Sequence, residues 1–180
     1  DGSIFYKESA PEENFYLMAG RLIYYKRFDL GLQACEHLKK KLKIAGRGPE
    51  EKELRKSANP EFVEFLGEVT DDELRALYNR AKALIFPQVE DFGLVAAEAQ
   101  VCGLPVIAYN EGGAREIIEE KKTGIFFEEQ TAESLEKAIQ TFETLRFDRN
   151  KIASSATRFS KDIFKDRIRK IIKNILDSNF

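Results

Sequence analysis

Tryptophan is absent from this 180-residue chain; histidine and methionine occur once each, and cysteine twice. A single histidine, His37, cannot build a multi-histidine metal site, and any imidazole chemistry would have to run through that one side chain. Cys35 and Cys102 are too few for a disulfide scaffold and read most simply as reduced thiols. No sign of charge dominates. Lys and Arg number 29 and Asp and Glu 31, a formal net charge of -2, unlike the strongly basic balance of a general nucleic-acid binder. Apolar runs such as residues 83–86 fall far short of the roughly 18 residues that a membrane-spanning helix needs, and no signal peptide is evident. Three chemical signatures are also missing: a phosphate-binding G-x-x-x-x-G-K-[ST] loop, an Asp-x-Asp pair to cradle a metal-bound diphosphate, and a G-x-S-x-G nucleophile elbow.

What is present is a foldable domain. Hydrophobic residues make up 43% and charged residues 33%, enough apolar surface for a sizeable core. The chain begins with Asp1 rather than Met, which reads as a piece of a longer protein. Residues 1–14 are polar and mixed and read as a linker or frayed start; residues 15–180 form the domain. Short apolar runs at 15–19, 42–45, 62–66, 83–86, 105–108 and 123–127 alternate with helical segments. Asp29 is the expected cap of the first helix, Pro49 stands at the first turn of the second, and Thr70 with Glu73 has capping-box spacing for the third. Further helices are expected from Gly93, from Ala114, after Thr131 and from Ser160. Strands apolar on both faces and separated by helices predict a Rossmann-like, doubly wound parallel sheet of about six strands, with a long C-terminal helix.

Such a sheet binds its ligand at the carboxyl ends of its strands, so the loops there carry the information. Arg21, Lys26 and Arg27 follow the first strand and suit a phosphate or diphosphate, although a solvated turn has the same look. Gly46-Arg47-Gly48 opens like a dinucleotide fingerprint, but Glu51 occupies the place of the third glycine, which argues against nicotinamide or flavin. Glu90 and Glu98 bracket the start of the Gly93 helix, whose unpaired amides form an anion site aided by the helix dipole. Carboxylates cannot hold phosphate but accept hydrogen bonds from neutral hydroxyls. An anion site between two hydroxyl acceptors has the shape of a nucleotide-sugar. The plainer alternative is that Glu90 favours the helix N-terminus and Glu98 lies on a solvated face. His37, beside the basic run 39–41, is expected at the surface. In the last helix, lysines and arginines interleave with isoleucines as in a membrane-surface helix, yet Asp162, Asp166 and Asp177 dilute the basic face and favour packing.

These residues resemble the C-terminal half of the retaining GT-B glycosyltransferases of glycosyltransferase family 4, from about Phe15 onward. The resemblance is carried by Gly20-Arg21-Leu22 with Lys26, Ala45-Gly46-x-Gly48-Pro49, Phe65-Leu66-Gly67, Phe86-Pro87, the Glu90-x7-Glu98 pair, Cys102-Gly103-x-Pro105-Val106-Ile107-Ala108, and Gly112-Gly113 with Glu116. It implies one half of a two-domain architecture whose acceptor-holding N-terminal domain is outside this chain. It also implies catalytic roles for Arg21, Lys26 and Glu90. The two cations would hold the leaving diphosphate, and Glu90, with the backbone of Phe92 and Gly93, would hold the transferred sugar. The amides of Leu94 and Val95 would contact phosphate, Glu98 would take the ribose, and the base would lie between the Arg47 and Gly67 loops. Gly20 completes the implied donor site. No metal or other cofactor is implied.

Residues 25–30, Glu90-Asp91-Phe92-Gly93 and Glu98-Ala99-Gln100 look like the mannosyltransferases that build O-antigen-type polysaccharides, which makes GDP-mannose the implied donor. The implied acceptor is a glycan or a lipid-linked sugar. The whole enzyme is expected in the cytoplasm, with peripheral association at the inner membrane face, and this piece alone is expected to be inactive. A sugar-nucleotide epimerase of the same architecture and a non-catalytic nucleotide-binding or scaffold domain are the alternatives.

Overall fold

In the structure, a computed structural model that describes residues 2–177, six short strands form one parallel sheet. They are β1 (Tyr16–Ala19), β2 (Leu42–Ala45), β3 (Val63–Gly67), β4 (Leu84–Phe86), β5 (Val106–Tyr109) and β6 (Gly124–Phe127), in the order β3-β2-β1-β4-β5-β6. Alternate side chains of each strand enter different layers, as the pleat requires. Tyr16, Met18, Leu42 and Ile44 pack with α1 (Phe28–His37), α2 (Glu51–Ser57) and α6 (Ala132–Thr144). Leu17, Ala19, Leu84 and Val106 pack on the other face with α3 (Asp71–Arg80), α4 (Leu94–Val101) and α5 (Ala114–Ile117). Burial on both sides explains why the strands read as continuous apolar runs, and it is the expected doubly wound fold.

The strand order reverses between β1 and β4. At such a switch point the two following loops leave toward opposite faces and open a crevice at the strand ends. The loops that diverge there are those after Ala19 and after Phe86.

Local signals account for the starts of α3 and α6. Thr70 and Glu73 form the capping box: the Thr70 amide donates to Glu73 Oε2 at 2.7 Å and the Glu73 amide to Thr70 Oγ1 at 3.3 Å. Thr131 caps α6 through the Ser134 amide. The expected Asp29 cap is corrected. Arg27, in the left-handed region at φ 51°, precedes α1, and Asp29 lies inside the first turn, bound to the Arg27 guanidinium. A 3-10 turn over Tyr24–Lys26 feeds this cap. One further helix, α7 (Arg149–Ala156), was not expected; Asp148 caps it, and Arg149 donates to the Asn79 and Ala81 carbonyls at the end of α3.

Residues 2–14 carry no helix or strand but are laid across α3 rather than frayed. The Phe5 ring is buried against Tyr78 at 5.8 Å, Arg75 donates to Glu8 and to the Ile4 carbonyl, and Asn79 bonds both Glu8 and Tyr6. The last helix, α8 (Lys161–Asp177), follows Ser160 and buries none of its side chains; Phe164, Ile168, Ile171, Ile172 and Ile175 are all exposed. Among the described residues no helix is long and apolar enough to cross a membrane.

Candidate functional site

The crevice at the switch point brings Lys26 and Glu90 together. Gly20 ends β1 at φ +133°, a conformation that side chains rarely tolerate, and a methyl group there would stand 3.1 Å from Lys26 Nζ. The ammonium therefore lies directly over the Gly20 backbone. From there it meets Glu90 Oε1 at 3.0 Å, with both side chains largely shielded, 12% and 21% exposed. Gln88 Nε2 also approaches that oxygen, at 3.3 Å. Behind this loop, the Gly113 amide donates to the Glu90 carbonyl at 2.7 Å, and a methyl on Gly112 would fall 2.6 Å from the same oxygen. The glycine pair thus supports the Glu90 loop by close backbone approach.

Tyr25, Lys26, Glu90, Phe92, Gly93 and Leu94 line one open cavity of about 480 Å³. Gly93 caps α4 at φ 86°, and a methyl there would press on the Phe86 ring at 3.1 Å. The first bonds of α4 run from the Ala96 and Ala97 amides to the Gly93 carbonyl. The Leu94 and Val95 amides precede that ladder and stay available to an anion.

The remaining expected residues do not line this cavity. Arg21 is exposed and makes no ion pair with a described residue. The Arg47 guanidinium lies 3.7 Å from the position a Gly67 methyl would take. Its loop is tied to the first by the Leu22 amide, which donates to the Arg47 carbonyl at 2.9 Å. Glu98 is half-buried on α4, and burial pushes its carboxyl above the usual carboxylate range, with Asp71 adding to the effect. Close by, the Tyr78 hydroxyl is buried without a partner; burial and then the Glu98 charge hold it un-ionised. His37 is exposed and pairs with Glu136 at 2.8 Å.

Sequence reading missed Gln88 and Tyr25. Gln88 is 3% exposed, and the signal available in the sequence was an amide side chain two residues before Glu90 in a strand-end loop. The Lys26–Glu90 contact itself had none, because the strand order had first to be known.

A larger cavity, about 750 Å³, lies near the opposite ends of β1, β2 and β3, lined in part by Phe15, Lys43, Phe62, Glu64 and Phe65. Its cations are already engaged. Lys43 sits 4.6 Å over the Phe15 ring and 3.6 Å from Glu64, Lys41 sits over Phe62, and Arg55 over Phe65. Among the described residues no cluster of His, Cys, Asp and Glu is placed to hold a metal ion.

The doubly wound parallel lobe, with a cation, a carboxylate and a helix start around its switch point, fits the resemblance to one half of a GT-B architecture. The comparisons agree. The model of the family described as "Glycosyl transferases group 1" matches residues 3–159, and the chain belongs to that family. An uncharacterized glycosyltransferase of Methanocaldococcus jannaschii is 35% identical over 133 residues, covering 69% of this chain and 34% of that protein. A GDP-mannose-dependent alpha-(1-6)-phosphatidylinositol monomannoside mannosyltransferase of Mycobacterium tuberculosis is 36% identical over 110 residues, 54% of this chain and 29% of that one. The solved sucrose-phosphate synthase of Thermosynechococcus elongatus superposes with a TM-score of 0.82 at 22% identity, covering 99% of this chain and 51% of that chain. The matches to the first relatives thus span about a third to a half of their length.

Proposed function

We propose that this chain is the donor-binding half of a retaining glycosyltransferase, a mannosyltransferase that takes its sugar from GDP-mannose and passes it to a glycan or lipid-linked acceptor. The observation that carries the reading is the shared cavity: the Lys26 ammonium, the Glu90 carboxylate and the start of α4 all line it. A diphosphate set there meets a cation and free amides, while the hexose beyond it meets a hydroxyl acceptor. As the glycosidic bond breaks, the leaving diphosphate gains negative charge. Lys26 and the α4 amides stabilise that charge without needing to reorganise, and Arg21 swings in from the surface to add a second cation. Glu98 takes the ribose, and Arg47 and Gly67 flank the base. The mannosyl assignment draws support from the mycobacterial relative, whose name specifies GDP-mannose.

Metal independence belongs to the same reading, since the cations do the neutralising; transfer by the whole enzyme should survive chelation. The acceptor would be held by the other half, and α8 offers its uncovered apolar face to that half. The whole enzyme would work in the cytoplasm, at the inner face of the membrane. Calorimetry with GDP, UDP, ADP and their sugars tests the donor directly. Preference for GDP and GDP-mannose is expected; preference for UDP or ADP overturns the mannosyl assignment, and no binding to any of them overturns the donor site.

A further inference from the structure

Three loops converge on the switch point, and one side chain on the loop after β6 joins the other two, those after β1 and β4. Gln130, in the turn between β6 and α6, accepts a hydrogen bond from Arg27 Nη1 through Oε1 at 3.3 Å and donates through Nε2 to the Pro87 carbonyl at 2.8 Å. The orientation of this amide follows from its partners. A guanidinium only donates, a carbonyl oxygen only accepts, and a glutamine amide offers one of each. Arg27 directly follows Lys26 and is held by Asp29, with Nε 3.1 Å from Oδ1 and Nη2 3.0 Å from Oδ2. Its left-handed backbone, φ 51°, is one that a non-glycine residue keeps only when its surroundings enforce it. At the other end, Pro87 precedes Gln88, whose Nε2 meets Glu90 Oε1 at 3.3 Å.

The contacts close a circuit. It runs from Lys26 to Arg27 along the backbone, across the Gln130 amide to Pro87, through Gln88 to Glu90, and back to Lys26 over 3.0 Å. We propose that Gln130 is a positioning residue for the donor site, setting the distance between the Lys26 loop and the Glu90 loop so that the ammonium and the carboxylate face one cavity. Gln130 does not line that cavity, so it acts through the two loops it joins. The consequence for ligand binding rests on the donor reading above; the consequence for the Lys26–Glu90 contact does not.

Gln130→Glu tests the strut with little change in size. The carboxylate still accepts from Arg27 but sets an acceptor against the Pro87 carbonyl, whereas Gln130→Ala removes both contacts. The first readout is the proton-nitrogen signal of the Lys26 ammonium, assigned by its disappearance in Lys26→Arg. Loss or displacement of that signal in both Gln130 variants, while the chain still unfolds in one cooperative transition, is expected; a signal in its wild-type place in both overturns the proposal. The second readout is affinity for GDP, UDP and ADP against GMP, UMP and AMP. A roughly fivefold loss for the diphosphate that binds is expected, with less than about twofold for its monophosphate, as fits one hydrogen bond's worth of misplacement at the diphosphate. Equal losses for both would reduce Gln130 to a purely structural tie. If the wild-type chain binds none of these nucleotides, the donor reading falls, and the Lys26 signal still decides the role of Gln130.

Discussion

Replacing Glu98 with glutamine should strengthen the fold and weaken the donor site at once. Glu98 lies on α4 between the buried Ala97 and Ala99. Burial raises its pKa in the folded chain, and Asp71 raises it further. A folded-state pKa above the unfolded value means that the stability contribution is complete while both states are protonated. It is lost as pH rises through the folded pKa, so at neutral pH the fold bears the cost of an ionised, half-buried group. Glutamine removes that cost. The melting temperature at pH 7 should rise by about 1–2 °C, with the gain vanishing in acid. The ribose loses a charged acceptor. A hydrogen bond to a charged group contributes about 1.5–3 kcal/mol, and the glutamine carbonyl recovers part of it, so affinity for the ribonucleoside diphosphate should fall roughly tenfold. A 2′,3′-dideoxy diphosphate should bind the two proteins alike, since it has no hydroxyl to lose. Thermal melts across pH and paired calorimetry measure both halves. Unchanged ribonucleotide affinity, or equal losses for the ribo and dideoxy ligands, would refute Glu98 as the ribose acceptor.

Three other substitutions probe opposite ends of the sheet. In the whole enzyme, Arg21→Ala or Lys26→Ala should lower turnover on the order of 100-fold, as when one transition-state donor is removed; wild-type turnover in both variants would end their assigned role. At the far end, burial alone would raise the Glu143 carboxyl, but hydrogen bonds from Lys40 and Lys82, and from Tyr16, bring it down from 4.5 to about 2. A depressed pKa gives stability that is present above the unfolded value and lost as pH falls from 4.5 toward 2. Because solvent still screens this partly exposed group, Glu143→Gln should cost only about 1–2 kcal/mol at pH 7 and should flatten the acid limb of the stability curve. An acid limb identical to wild type would contradict this.

The sheet was legible because burial on both faces leaves continuous apolar runs, and four of the six runs end where a glycine or proline stops them, at Gly20, Gly46, Gly67 and Pro87. The capping box at Thr70 was legible because both partners lie within one turn. What escaped was tertiary. α7 is anchored by Arg149 on carbonyls of a distant helix, and no local pattern announces that. Arg27 took the place of Asp29 as cap because its guanidinium finds Asp29 and Gln130 together, a contact that exists only once β6 stands beside β5. The candidate site divides in the same way. Its residue types were readable from the loops, while the Lys26–Glu90 contact depends on the reversal of strand order between β1 and β4.

Amide chemical shifts during a GDP titration would locate the ligand on this chain. The signals of Gly20, Lys26, Gly93, Leu94 and Val95 should move first and together. Movement confined to residues 41–43 and 62–65, around the larger cavity, would instead place the nucleotide at the wrong end of the sheet and contradict the diphosphate site.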